Sequence, residues 1–291
     1  MNTETGKKVI IFQLLLTSLF LFSVLTVACK QDNTSQGNDS QPAASDNYVS
    51  EPIPEAPADG FVVCGTLKGG ANQRLWLEEM APDGIIFIDS IKVDAHGNFH
   101  YLYRTTYQSM YNLHTTPDNY IVLLPAFGET VKVTGKYENL SVTYQVDGSP
   151  ESKLLWDFQQ FTNKGSKILI NLVDTLNRYD DLLANRKISK ETYDARKAQT
   201  DAVYHEAQKE EQDFVHKFII DNRGSLATII ALYKSFNGQP VVDPHTADGL
   251  RYYNIVLKGL EKKLPDNPHT IHFRNSTTHL RTTPACQQKN S

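Results

Sequence analysis

Among its 291 residues the chain has only 3 cysteines, 3 methionines and 2 tryptophans. Three cysteines cannot build a disulfide scaffold or a four-cysteine zinc site. Positive charge is not in excess, because 29 Lys and Arg face 33 Asp and Glu, a formal net charge of −4. A nucleic-acid partner is therefore not expected, since such proteins present a basic surface. Glycine-rich phosphate loops, a Gly-x-Ser-x-Gly nucleophile elbow and a His-Glu-x-x-His zinc motif are all missing. What is present is core material. Hydrophobic residues make up 40% of the chain, with 13 Phe and 14 Tyr, which excludes a wholly disordered polypeptide. The length allows one large domain or two of roughly 150 residues each.

Lys7 and Lys8 precede an apolar run over residues 9–28, broken only by Gln13, Thr17, Ser18, Ser23 and Thr26. A short basic region, an apolar stretch and a small residue before a cleavable bond form the layout of a secretory signal. Length alone would also suit a membrane-spanning helix. The ending Leu25-Thr26-Val27-Ala28-Cys29 resembles a bacterial lipobox, with Thr26 where that pattern most often has Leu. The resemblance implies a signal peptide over residues 1–28 and a multiply acylated Cys29, palmitate included, as the new N-terminus. Two or more acyl chains hold a protein stably on a membrane, whereas one does so only marginally. The expected location is the cell envelope, with the outer membrane favoured because Lys30 stands where inner-membrane lipoproteins often carry aspartate. The start Lys30-Gln31-Asp32 weakly matches a surface-export tag, and the leaflet stays open.

Residues 29–58 read as a disordered tether rich in Ser, Asn, Asp, Gln, Pro and Ala. Its root-mean-square span would be about 30 Å. From 59 to 148 the chain reads as short strands between turn residues: 61–67, 74–80, 85–93, 98–103, 107–114, 120–124, 130–134 and 142–146. Asp83-Gly84 and Asp94-Ala95-His96-Gly97 supply turn chemistry, so this half is expected to be an antiparallel β-sandwich or barrel. At Ser149-Pro150-Glu151 helix-start chemistry takes over. One helix carries Leu154, Leu155, Phe158 and Phe161, a second covers 169–184, and a third opens at Ser189 and runs toward Ile220. The third mixes many charges with one narrow apolar stripe, which is expected to be a solvated face. A more apolar segment follows Gly224, and Asp243-Pro244 opens the last helix. Residues 149–265 are thus an α-helical region, 266–291 a polar tail, and the fold class is α+β.

Several short stretches, in order, carry a resemblance: Cys64-Gly65-Thr66-Leu67, Leu75-Trp76-Leu77-Glu78, Ile88-Asp89-Ser90-Ile91, Gly97-Asn98-Phe99, Leu124-Pro125-Ala126 and Val146-Asp147-Gly148-Ser149. Together with Phe218-Ile219, Ser225-Leu226-Ala227 and Ala231-Leu232-Tyr233, they resemble domain of unknown function 4369 and its helical linker. That domain precedes thioredoxin domains in envelope lipoproteins. The resemblance covers about residues 60–275. A thioredoxin domain needs a Cys-x-x-Cys pair, and none exists here, so its activity is not implied. A component of a thiol–disulfide system whose redox part is lost, or supplied by a partner, is one reading. The leading one is a non-catalytic, lipid-anchored protein that binds or scaffolds an envelope partner or a second copy.

Local chemistry points mostly to ordinary packing. Cys64 lies in an apolar strand and reads as a buried small hydrophobe, with a Cys64–Cys286 disulfide as an alternative. His269, His272 and His279 read as exposed tail histidines, because Asn267-Pro268 marks a loop and helical i, i+4 spacing is lacking. His205 and His216, eleven residues apart, are expected in surface pairs. Asp94-Ala95-His96-Gly97-Asn98 lacks the alternating acids of a calcium loop and reads as a hairpin turn. Tyr101, Tyr103, Tyr107 and Tyr111 form an aromatic stripe that could capture a glycan or peptide, or else pack beside the core with hydroxyls at the rim. No cofactor or metal is expected.

Overall fold

In the computed structural model, residues 52–282 are described, with side chains through 280. Cys29, the expected leader, most of the tether and Cys286 lie outside the described residues. The body is α+β, with two four-stranded sheets followed by helices. One sheet has the order β4 (Asn98–Arg104), β1 (Gly60–Lys68), β7 (Thr130–Lys136), β8 (Gln145–Asp147). The other runs β3 (Gly84–Lys92), β2 (Arg74–Ala81), β5 (Tyr111–Thr116), β6 (Asn119–Leu123). Neighbours are antiparallel except β1 and β7, which pair in parallel with Val63 opposite Val131. Strand alternation places Phe61, Val63, Leu75, Leu77, Phe99, Tyr111, Leu113, Val131 and Val133 in one buried cluster between the sheets.

Two features of this half differ from the strand pattern. Residues read as a strand at 142–146 begin instead as a helical turn, α1 (Leu140–Thr143). Fully buried Leu140 plugs the sandwich while Val142 faces solvent. The Thr143 hydroxyl donates to the Asn139 carbonyl at 2.7 Å, a local bond that competes with the ladder. The strand expected from Tyr107 starts only at Tyr111, because residues 105–110 form a loop.

Helix α2 (Pro150–Ala184) begins where the sequence changes character. The Ser149 side chain caps it and Pro150 occupies its first turn. Its start is bound to the sheet, since the Leu124 amide donates to Ser152 Oγ at 2.9 Å and Trp156 Nε1 donates to the Tyr144 carbonyl at 2.9 Å. The two helices expected between 149 and 184 are therefore one continuous rod. No proline or cap interrupts it, and Gly165 is a point of close packing: a Cβ there would overlap the Glu211 carboxylate. Helix α3 (Lys190–Asp221), capped by Ser189, returns alongside. Each rod is about 50 Å long. Between Gly165 and Thr200 no residue of this hairpin is buried. The charge run of α3 forms i, i+4 pairs on its exposed side, among them Lys197–Asp201 at 2.8 Å and Lys209–Asp213 at 2.6 Å.

Helices α4 (Ala227–Leu232), α5 (Ala247–Lys263) and α6 (Pro268–Thr282) complete the body. A second buried cluster joins Leu155, Phe158, Val215, Ile219, Leu232, Tyr253, Val256, Leu260 and Phe273 to Met110, Val122 and Leu124 of the strand half. The helices thus cover the outer face of the second sheet around β6. Helix α5 is capped by Thr246 rather than opening at Asp243. The polar tail expected after Pro265 is helix α6 as far as Thr282. Asn267-Pro268, which read as a loop marker, is its start: Asn267 Oδ1 accepts the His269 amide at 2.9 Å.

Candidate binding site at the open edge of the sandwich

Strand β3 ends one sheet and β4 ends the other, and the two edges flank the same side of the sandwich. On β4 the alternation turns Phe99, Tyr101 and Tyr103 toward the core, yet only Phe99 is fully buried. Across from them, β2 carries Leu75, Leu77, Glu79 and Ala81 in phase on its buried face. Glu79 is therefore a carboxylate at a core register position. It stands between Ile86 of β3 and Tyr111 of β5 and is 5% exposed.

Hydroxyl groups gather around it. Tyr107, from the loop after β4, brings its phenol next to Glu79. Burial first, and the Glu79 carboxylate second, push the Tyr107 phenol up to about 12. Tyr103 is raised by burial and then by the Glu79 charge, and Tyr111 is raised mainly by burial. Further along, burial and then the Asp89 carboxylate raise Tyr101, while Asp83 acts on Tyr107 from the β2–β3 turn. The result is a row: Asp89, Tyr101, Tyr103, Glu79, Tyr107, Asp83. Among the described residues none of its three carboxylates forms an ion pair. Glu79 Oε1 has no hydrogen-bond partner at all.

The four tyrosines of the sequence stripe are thus brought together, though not as a stacking platform. Tyr111 is fully buried. The Tyr103 ring meets Phe61 and Tyr111 edge-on, each at 5.8 Å between centroids, and Phe61 and Tyr111 stand 4.8 Å apart. Tyr111 is thus core, hydroxyl included, while Tyr101, Tyr103 and Tyr107 are only partly buried at the rim. Sequence reading missed Glu79, Asp83 and Asp89. The available signal was an acid in phase with Leu75 and Leu77 on a strand.

Other candidates resolve into structure. Cys64 is buried on β1, and burial pushes its thiol pKa up; the alternative pairing with Cys286 lies outside the described residues. Asp94 accepts the amides of His96 and Asn98, both at 2.8 Å, within its hairpin turn. His216 stacks on Tyr252 at 4.2 Å. His269 is not an exposed tail residue. It is buried on α6, where Nε2 lies 2.8 Å from Ser109 Oγ. Burial, and secondarily His272, lower its pKa to about 4, so the imidazole is neutral at pH 7. An adjoining cleft of about 10 Å³, lined by Ser109, Glu151, Ser225 and Lys263 among others, has room for one water molecule. The Ser109–His269 pair ties the loop before β5 to the start of α6. Among the described residues no group of three or more His, Cys, Asp or Glu is placed to hold a metal ion, and no helix is long and apolar enough to cross a membrane.

Comparisons with known proteins return nothing: no family model, no curated protein and no solved structure matches the chain.

Proposed function

We propose that the chain is a lipid-anchored protein of the bacterial cell envelope, with the outer membrane favoured, and that its body is a non-catalytic binding module. The lipobox-like ending at Cys29 supports the anchor, and the ordered motifs resembling domain of unknown function 4369 fit an envelope setting. The contact site is the mouth between β3 and β4. One observation carries this reading: Glu79 is a buried carboxylate with phenols around it, an unpartnered oxygen and no cation of its own. Burying a charge without a counter-charge is costly. A positively charged group on a ligand would supply both the missing donor and the missing charge.

Two measurements test the two halves of the proposal. Intact-mass analysis of the native protein should show a chain that starts at Cys29 and carries acyl groups; an unacylated chain, or one starting elsewhere, contradicts the anchor. Titrating the full mature chain with N-acetyl-lysine methylamide should perturb resonances at Glu79, Tyr103 and Tyr107, whereas the glutamate analogue should leave them unmoved. Equal responses to both, or to neither, contradict the cation site.

A further inference from the structure

Beside the acid–phenol row lies an apolar strand edge. Ile85, Ile86 and Phe87 are 55%, 50% and 60% exposed, three consecutive large apolar residues on β3. β3 pairs only with β2, so its other side carries unmatched backbone donors and acceptors. A register shift opposite Leu77 and Glu78 sets this tip apart from the remainder of the strand. Ile86 is the direct cross-strand neighbour of Glu79, which places the exposed edge and the buried carboxylate side by side.

We infer that this edge receives an extended, basic polypeptide segment as an added strand, with a Lys or Arg side chain directed to Glu79 and apolar side chains resting on Ile85, Ile86 and Phe87. The inference rests on the cation-site reading above and deepens it by naming the ligand class. Strand addition uses main-chain hydrogen bonds for affinity and alternate side-chain contacts for selectivity. The charge pattern selects the occupant. Asp83 and Asp89 flank the exposed tip, and no basic side chain is among the groups acting on Tyr101, Tyr103 and Tyr107. A second copy pairing β3 with β3 would bring these acids near one another, which is unfavourable. A neutral sugar would find Tyr111 fully buried and Tyr103 packed against it and Phe61.

The test uses the full mature protein in detergent and four probes: acetyl-(Lys-Val)3-amide, the same peptide N-methylated at alternate backbone nitrogens, acetyl-(Glu-Val)3-amide, and a neutral N-acetylglucosamine oligomer. The first should bind and slow amide exchange over residues 84–88. The N-methylated form should bind at least about tenfold more weakly. Phe87→Ser, an exposed change on the opposite face from Glu79, should weaken the first peptide by a similar factor. If the N-methylated and parent peptides bind alike and Glu79→Gln weakens both, strand addition is overturned while the cation site stands. If neither basic peptide binds, or the acidic peptide or the sugar binds as well, both readings fail. Slow exchange over residues 84–88 without peptide, rising with protein concentration, would assign the edge to a second copy and overturn the inference.

Discussion

Tyr107 sets its phenol beside a Glu79 carboxylate that is buried and has no basic partner among the described residues. The two residues come from different elements, the loop after β4 and the buried face of β2, and they meet at the open edge of the sandwich. An apolar residue at position 79 would pack this corner more simply. The charge there is better explained by what it can recognise than by what it stabilises.

Replacing Glu79 should therefore make the protein more stable. Glu79→Gln removes a buried charge and can still accept from Tyr107, so a gain of about 1 kcal/mol is expected. The check is the urea midpoint at unchanged slope. A clear loss of stability would show that the carboxylate serves the fold.

The phenols should resist ionisation. Because folding raises the Tyr107 pKa from 10 to about 12, the unfolded chain loses this proton first as pH rises. This group's contribution to stability is then fully present below pH 10 and is lost between about 10 and 12. Absorbance at 295 nm in the folded protein should show a group of tyrosines titrating late. Tyr107→Phe should remove one late group, and a uniform titration near pH 10 would contradict the buried cluster.

His269 should make the protein acid-sensitive in a defined window. Its pKa falls from 6.5 to about 4 on folding, so the unfolded state takes up the proton first as pH drops. This contribution is present above pH 6.5 and is lost on descent toward pH 4. Imidazole NMR should show His269 still neutral at pH 5. Ser109→Ala, which leaves a buried ring nitrogen without its partner, should cost about 1–3 kcal/mol.

At the base of the helical hairpin, Glu211 is 2% exposed and its Oε1 lies 3.3 Å from Lys234 Nζ. Lys234→Met should cost about 3–5 kcal/mol by leaving that carboxylate alone. Adding Glu211→Met should restore most of the loss, because a buried pair is often replaceable by apolar residues. Additive losses in the double variant would contradict this coupling.

Much of the architecture was legible in the sequence. Turn residues such as Asp83-Gly84 and Asp94 mark the hairpins, and Ser149-Pro150 marks the step from strands to helices. The parallel β1–β7 pair was not, since parallel pairing joins strands distant in sequence and leaves no local signal. Helix α6 was misread because polar residues dominate 266–282, although Asn267-Pro268 carries valid helix-start chemistry. At the site, the tyrosines stood out by residue type. Glu79 did not, because a Glu-Glu pair on a strand looks like a solvated face unless its phase with Leu75 and Leu77 is counted. Asp83 and Asp89 gain meaning only once tertiary structure aligns β3 with β4.

The most direct measurement is the dissociation constant of acetyl-(Lys-Val)3-amide for the native chain and for Glu79→Gln, side by side. The expected result is saturable, salt-sensitive binding to the native protein and at least about tenfold weaker binding to the variant, with circular dichroism unchanged. Equal affinity for the two proteins would contradict a recognition role for the buried carboxylate.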